Sequence, residues 1–139
     1  MKIISWYIIL LAFILSLACD ENFVIVKCSD CLASEPVDAL VTLETENNYD
    51  FTMTVMIYEG NLEDNILLGT YKSSLNVTEY NLIVNKKYTF KVEYTDSKGT
   101  RYIAVNTVYP RVKLELDQCP DSPCYYIYDN KLNMHLKYH

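Results

Sequence analysis

Apolar and polar residues alternate with a period of two along most of the chain after residue 37. The clearest example is the segment from Tyr88 to Thr95, where Tyr88, Phe90, Val92 and Tyr94 alternate with threonine, lysine and glutamate. Successive side chains of a strand point to opposite faces of its sheet, so this alternation is typical of a half-buried strand. No segment shows a sustained helical period. The pattern therefore predicts an all-β domain.

Turn-forming residues divide the pattern into nine predicted strands. Asp96-Ser97-Lys98-Gly99 is the strongest hairpin signal, because Gly99 can adopt a positive φ angle without strain. We expect a bend or an edge at Pro110, which has no amide hydrogen, and a last hairpin turn at Asp129-Asn130. The predicted strands are 23–28, 37–46, 50–59, 65–72, 79–84, 87–95, 101–109, 111–117 and 125–138, the last a hairpin counted as one strand.

The alternation also predicts which side chains face the core. Beside the Tyr88 set, the inward residues are expected to be Val37, Ala39, Val41, Leu43, Phe51, Met53, Val55, Ile57, Val112, Leu114, Leu116, Leu132, Met134, Leu136 and Tyr138. Short strands at this spacing predict an antiparallel sandwich or a small barrel.

One local pattern resembles the approach to strand F of a fibronectin type III or immunoglobulin-like domain. In those domains a leucine lies six residues before a tyrosine that opens an alternating strand, and Leu82 and Tyr88 have this spacing. The resemblance implies an immunoglobulin-like antiparallel sandwich with an extra C-terminal hairpin. It also implies that the Tyr88 hydroxyl bonds back to the backbone in a tyrosine corner.

The N-terminus is typical of an export signal. Lys2 precedes an apolar run over 3–18, which is shorter than the roughly 20 residues of a membrane span and suits the apolar region of a signal peptide. Leu15-Ser16-Leu17-Ala18-Cys19 also resembles a bacterial lipobox, in which a small residue precedes a cysteine that becomes acylated. We therefore predict a lipoprotein signal peptide at 1–18, acylated Cys19 with an acidic tether at 19–22, and a sandwich domain at 23–139.

The cysteine count supports this interpretation. The chain has five cysteines, and an odd count in an exported protein leaves one thiol unpaired. If Cys19 carries lipid, the other four can form two structural disulfides. The alternative is a secreted protein with a free Cys19.

We expect long-range disulfides between the pair Cys28 and Cys31 and the pair Cys119 and Cys124, because closing a long loop removes more chain entropy from the unfolded state. The sequence leaves open which of the two crossed connectivities forms. A four-thiolate metal site is a weaker alternative, since exported thiols oxidise. Redox chemistry is weaker still, because no helix follows the Cys-x-x-Cys motif to lower a thiol pKa.

Charge and residue content narrow the possible functions. The formal charge is −6 and no basic cluster is present, which disfavours nucleic-acid binding. His135 and His139 are the only histidines, and both lie near the C-terminus, so a histidine-dependent nucleophile is disfavoured. We expect no enzyme activity, no cofactor and no metal. The carboxylates, among them Glu44 and Glu46, are expected to form a solvated acidic surface.

The tyrosines are the remaining indication of function. By alternation or turn position, the tyrosines expected outside the core are Tyr49, Tyr58, Tyr71, Tyr80, Tyr109 and Tyr125. Exposed tyrosines suit contacts with proteins or glycans, although tyrosine is also simply a good strand residue.

Taken whole, the chain resembles small lipoproteins of Gram-negative bacteria that carry one such domain. We expect a non-catalytic binding or spacer module anchored by lipid. Acidic residues after Cys19, here Asp20 and Glu21, resemble a surface-export signal of some Gram-negative groups, whereas in enteric-type lipoproteins an Asp there resembles an inner-membrane retention signal. We therefore predict the outer membrane and its cell-surface side, with the periplasm or secretion as alternatives. The alternative functions are a carbohydrate-binding accessory module of a glycan-uptake system and, more remotely, a secreted enzyme.

Overall fold

The computed structural model describes residues 26–46, 51–116, 119 and 123–136, and the fold they form is built from β-strands without an α-helix. Two 3-10 turns are present, at Cys28–Asp30 and Leu62–Asp64. The strands are β1 (Asp38–Glu44), β2 (Thr52–Glu59), β3 (Ile66–Ser73), β4 (Val77–Ile83), β5 (Tyr88–Thr95), β6 (Arg101–Val108), β7 (Arg111–Glu115), β8 (Cys124–Tyr128) and β9 (Lys131–Asn133).

Two sheets pack face to face and confirm the predicted sandwich. One sheet has the strand order β4-β1-β9, and the other has the order β3-β2-β5-β6. A separate two-stranded sheet is formed by β7 and β8. Some consecutive strands pair within one sheet, as β2 with β3 and β5 with β6 do, and others cross from one sheet to the other, as β1 to β2 and β3 to β4 do. This arrangement gives the all-β, immunoglobulin-like architecture.

The core lies between the inner faces of the two sheets. Its centre is β5, where Tyr88, Phe90, Val92 and Tyr94 are at most 1% exposed. Around them pack residues from β1, β2, β6 and β9 and the residue after β9, namely Val41, Leu43, Met53, Val55, Ile57, Val108, Leu132 and Met134. Alternation thus predicts the buried face of β1, β2, β5 and β9 correctly, because each of these strands has one side turned toward the opposite sheet.

The β5–β6 hairpin forms as its turn residues indicate. The Asp96 side chain accepts hydrogen bonds from the backbone amides of Lys98 and Thr100, at 2.9 and 2.8 Å. Gly99 has a φ angle of +84°. These amide bonds lower the pKa of the Asp96 carboxyl, because they favour its ionised form. Pro110 also acts as expected, since β6 ends two residues before it and β7 begins directly after it.

The predicted strand 23–28 is wrong where the structure describes it. Residues 26 and 27 are not in a strand, and Cys28 starts a 3-10 turn. Cys28 and Cys31, which follows the turn, are both bonded to distant parts of the chain. Residues 23–25 lie outside the described part of the chain.

The predicted hairpin at Asp129-Asn130 is also wrong. β8 pairs antiparallel with β7, whereas β9 leaves that ribbon and pairs parallel with β1, so the sandwich is not purely antiparallel. Asp129 takes a φ angle of +54°, and the turn carries the chain from one sheet into another. Alternation predicted the buried Leu132 and Met134 correctly but could not identify the partner strand.

Three predicted core positions are also exposed. Val37 is 75% exposed, because β1 begins one residue after it. Leu114 and Leu116 are 40% and 59% exposed, because β7 belongs to the separate ribbon and does not lie against the sandwich core. Tyr138 and His139 lie outside the described residues.

Candidate functional site

A trough runs along one side of the sandwich, where the edge strands of the two main sheets meet. β6 is the last strand of the four-stranded sheet, and β9 is the last strand of the three-stranded sheet. The Asn106 side-chain amide crosses between them and donates a 3.2 Å hydrogen bond to the carbonyl oxygen of Asn133. We call the space along these two edges, on both sides of the Asn106–Asn133 bond, the β6–β9 trough.

The first half of the trough is a cavity of about 500 Å³. Its walls are residues 102–106 of β6 and the segment 133–136 at and after β9. Asn106 accepts a hydrogen bond through Oδ1 from the amide of Thr107 at 2.9 Å, and Asn133 accepts one from the amide of His135 at 3.0 Å. Both side-chain amides are therefore held in one orientation, as a binding site for polar groups requires.

Two hydrogen bonds hold the segment 134–136 in the wall of this half. The Tyr94 hydroxyl donates to the Met134 carbonyl oxygen at 2.7 Å, and the Leu136 amide donates to a Glu46 carboxylate oxygen at 2.8 Å. Burial raises the pKa of Tyr94 to about 12. The hydroxyl therefore stays protonated and remains a donor at any physiological pH.

The second half of the trough is a cavity of about 400 Å³ next to the β8–β9 turn. It is lined by Lys87, Thr107, Val108, Tyr109, Asp129 and Lys131. Two lysines and one aspartate make this end locally basic, in a chain whose formal charge is −6. The wall thus combines charged, hydroxyl and aromatic groups.

Arg111 supports the second half from behind. Its guanidinium lies 5.4 Å from the ring centre of Tyr109 and 4.7 Å from that of Tyr128, and it forms an ion pair with Asp129. The hydrogen bond to Asp129 raises the pKa of Arg111. Stacking on two rings and pairing with the carboxylate hold Tyr109 and Asp129 in place at the cavity wall.

The four domain cysteines lie together at the other end of the β8 strand. Cys28 is bonded to Cys119 and Cys31 to Cys124, with Cα–Cα distances of 5.5 and 4.9 Å. These are the long-range links that the loop-entropy argument favours. The links join the N-terminal segment to the β7–β8 ribbon, and backbone hydrogen bonds between Leu32 and Tyr125 at 2.8 and 3.0 Å reinforce the junction.

The two disulfides touch each other. The Cys31 and Cys119 sulfurs, which belong to different disulfides, are 3.6 Å apart, and the sulfurs of Cys31, Cys119 and Cys124 all lie within 4.8 Å of one another. Such a cluster has the size of a thiolate metal site. Because each sulfur is already bonded to another sulfur, these cysteines serve here as crosslinks.

Tyr88 has the geometry of a tyrosine corner. Its hydroxyl donates a 2.9 Å hydrogen bond to the carbonyl oxygen of Ile83, at the end of the preceding strand. The ring is 1% exposed, and burial raises its pKa. Tyr88 therefore closes the β4–β5 connection and has no place in a binding site.

The other tyrosines do not share one face. Tyr58 lies half-buried on β2, Tyr71 packs on Tyr80 with ring centres 5.2 Å apart, and Tyr125 is half-buried on β8. Of the tyrosines expected outside the core, only Tyr109 lines the β6–β9 trough in the described part of the chain. Cys19 and Tyr49 lie outside the described residues.

The trough itself could not be found from the sequence. Asn106, Asn133 and Arg111 carry no local motif, and Asn106 meets Asn133 only because β9 pairs with β1 and so comes to lie beside β6. Two polar residues singled out from the sequence do lie at this end of the fold: His135 is exposed at the first cavity, and the Glu46 carboxylate accepts a hydrogen bond from the Leu136 amide.

No family model, curated protein or solved structure matches the chain. Within residues 26–46, 51–116, 119 and 123–136, no helix has the length and apolar character needed to cross a membrane.

Proposed function

We propose that this chain is a non-catalytic, membrane-anchored lipoprotein whose immunoglobulin-like domain is a binding module, with the β6–β9 trough as its binding site. The observation that carries the proposal is the pair of cavities on either side of the Asn106–Asn133 bond, about 500 and 400 Å³ in volume. Cavities of this size, lined by oriented amides and aromatic rings, are typical of ligand sites.

The shape of the trough favours an extended segment of a protein partner. β6 has eight residues, which corresponds to a length of about 26 Å at 3.3 Å per residue. An extended peptide lying along the trough can place its side chains in the two cavities and its backbone beside the Asn106 and Asn133 side-chain amides. The basic end at Lys87 and Lys131 suits an acidic or carboxy-terminal group of the partner.

A carbohydrate-binding accessory module is the second candidate function. It is favoured by the first cavity, where Asn106, Asn133 and His135 offer planar polar groups beside the ring of Tyr102. Such groups can hydrogen-bond to sugar hydroxyls while an aromatic ring packs against the apolar side of a sugar.

The membrane anchor is proposed from the cysteines. Four of the five cysteines are paired in two disulfides, which leaves Cys19 for acylation. Each buried CH₂ contributes about 0.8 kcal/mol, so a two- or three-chain anchor retains a protein on a membrane effectively permanently. Asp20-Glu21-Asn22 would then form a short polar tether, with the domain at the outer membrane and exposed at the cell surface.

Photo-cross-linking tests the binding site directly. A photoreactive amino acid at Asn106, in cells that produce the full chain, should give a crosslinked protein partner. The matched control is the same substitution at Asn81, an exposed asparagine on β4 at the opposite rim. Equal crosslinking from both positions would contradict a site in the trough.

A glycan array separates the two candidate functions. Binding that Asn106→Ala and Asn133→Ala abolish, and that Asn81→Ala preserves, would establish the carbohydrate module in place of the peptide site. Absence of both a crosslinked protein and a bound glycan would refute the binding module and leave a spacer domain.

Intact mass tests the anchor separately. The membrane fraction should contain a mature chain that begins at Cys19 and carries added acyl chains. Cys19→Ser should release the protein or stall it as uncleaved precursor. A wild-type chain recovered from the soluble fraction with an unmodified Cys19 would end the lipoprotein proposal.

A further inference from the structure

β3 is the most exposed strand in the described part of the chain. It is the outer strand of the four-stranded sheet, and six of its eight residues are exposed. Apolar side chains dominate this exposure, with Ile66 54%, Leu67 51%, Leu68 47% and Tyr71 46% exposed. Apolar residues on an unpaired edge form a template for another strand, because the outward backbone groups have no partner within the sheet.

The devices that normally protect such an edge are sparse on β3. Lys72 is the single charged residue in the strand, which contains no proline. The edge of β6, by contrast, lies against β9, with the Asn106 amide bridging between them. One such device is present, a β-bulge: a register shift between Ile57 and Tyr58 in β2 leaves Leu68 as an extra residue. Pairing with β2 is regular from Gly69 to Ser73.

The β3 edge is also held in place. The Tyr71 ring covers Gly69 so closely that a Cβ atom at this glycine would lie 2.7 Å from the Tyr71 hydroxyl. The other neighbour of Tyr71 is Tyr80, whose ring centre is 5.7 Å from that of Phe90 in the core. This aromatic chain anchors β3 to the core, so a second strand would meet an ordered edge.

The charges at the two ends of β3 indicate which partner fits. Glu63 and Asp64 lie three and two residues before the strand, and Lys72 lies close to its end. When two copies pair antiparallel about a twofold axis, the end of one strand faces the beginning of the other. Each Lys72 then lies toward the acidic pair of the other copy, whereas parallel pairing would bring like charges together.

We propose that β3 pairs antiparallel with β3 of a second copy of this chain, which joins two four-stranded sheets into one continuous sheet of eight strands. The interface is isologous, so the same residues contribute from both sides. Leu67, Leu68 and Tyr71 of each copy lose solvent exposure in it. The β6–β9 trough lies at the opposite edge of the sheet and stays open in such a dimer.

Single-cysteine scanning of the full chain tests the pairing and its direction. Leu68→Cys or Thr70→Cys, close to the twofold axis, should give reduction-sensitive dimers under mild oxidation, and Ile66→Cys and Ser73→Cys at the strand ends should give far less. The control is Thr107→Cys, which is also exposed but lies on β6. Peptide mapping confirms that the native disulfides are retained.

Uniform crosslinking along β3 would indicate parallel pairing and overturn the proposal. Crosslinking no stronger than that of the β6 control, or crosslinking only to a different protein, would overturn it as well. A wild-type chain that sediments as a monomer at every concentration tested would do the same.

Charge reversal provides an independent measurement. Lys72→Glu and Glu63→Lys should each weaken the dimer roughly twofold to thirtyfold, the scale of the two exposed ion pairs that the twofold axis relates. The double variant Lys72→Glu with Glu63→Lys should recover the wild-type dissociation constant by restoring opposite charges. A double variant weaker than both single variants would contradict the antiparallel arrangement.

Discussion

The hydroxyl of Tyr94 donates a 2.7 Å hydrogen bond to the carbonyl oxygen of Met134, a residue 40 positions later in the chain. Tyr94 belongs to β5 in one sheet, and the amide of Met134 donates to the Glu44 carbonyl oxygen on β1 in the other sheet, at 2.8 Å. Met134 is therefore held by both sheets at once. This contact fixes the segment after β9, which forms one wall of the β6–β9 trough.

Tyr94→Phe should destabilise the domain by about 1–2 kcal/mol, because it leaves the buried Met134 carbonyl oxygen without its donor. Urea denaturation monitored by circular dichroism measures the change. The control is Tyr58→Phe, whose half-buried hydroxyl contacts the Met56 sulfur at 3.8 Å and should change stability by less than about 0.5 kcal/mol. Equal effects of the two substitutions would show that the Tyr94 hydroxyl has no special role.

The stability of the domain should fall as pH rises from 10 to 12. Burial raises the pKa of Tyr94 from 10.0 to about 12, so the unfolded state loses its proton before the folded state does. The stabilisation is complete below pH 10 and is lost as pH rises through the folded-state pKa. Denaturant midpoints measured across this range should fall more steeply for wild type than for Tyr94→Phe. Identical slopes would contradict the assignment.

Removing both disulfides should cost more than the sum of removing each one. Either disulfide alone closes nearly the same long loop of the unfolded chain. Once that loop is closed, the second disulfide closes only a further loop of about ten residues, which stabilises the domain by roughly 2.5 kcal/mol. Cys28→Ser with Cys119→Ser, or Cys31→Ser with Cys124→Ser, should each cost about that amount. The quadruple variant should lose about 7 kcal/mol, since the long loop then opens. Strictly additive losses in urea denaturation would refute this interpretation.

Tyr88→Phe should destabilise the domain by about 1 kcal/mol, because the Ile83 carbonyl oxygen loses its donor while the ring stays buried. Tyr88→Ala also removes the buried ring and should cost roughly 3–5 kcal/mol. Thermal unfolding compares the two variants with Tyr71→Phe, whose ring is 46% exposed. A Tyr88→Phe variant as stable as Tyr71→Phe would show that this tyrosine corner contributes only packing.

The buried faces of the central strands were predictable from local pattern. Val55, Phe90 and Val92 are buried because a strand with alternating residues has one apolar side that only the opposite sheet can cover. The β5–β6 hairpin was predictable because Asp96 and Gly99 have turn chemistry within five residues. The same alternation wrongly placed Leu114 and Leu116 in the core, since a period of two identifies a strand but does not say which sheet it belongs to.

The sequence by itself determined the β class of the domain, its core strands and its main hairpin, because these follow from local periodicity and turn geometry. It also determined that the disulfides link the two distant cysteine pairs, because chain entropy favours closing the longer loops. Only the tertiary structure decided that β9 pairs parallel with β1, that Cys28 bonds to Cys119, and that Asn106 meets Asn133 across a trough. Each of these contacts joins residues distant in sequence. Their free energy depends on the packing of both sheets at once, which no local pattern encodes.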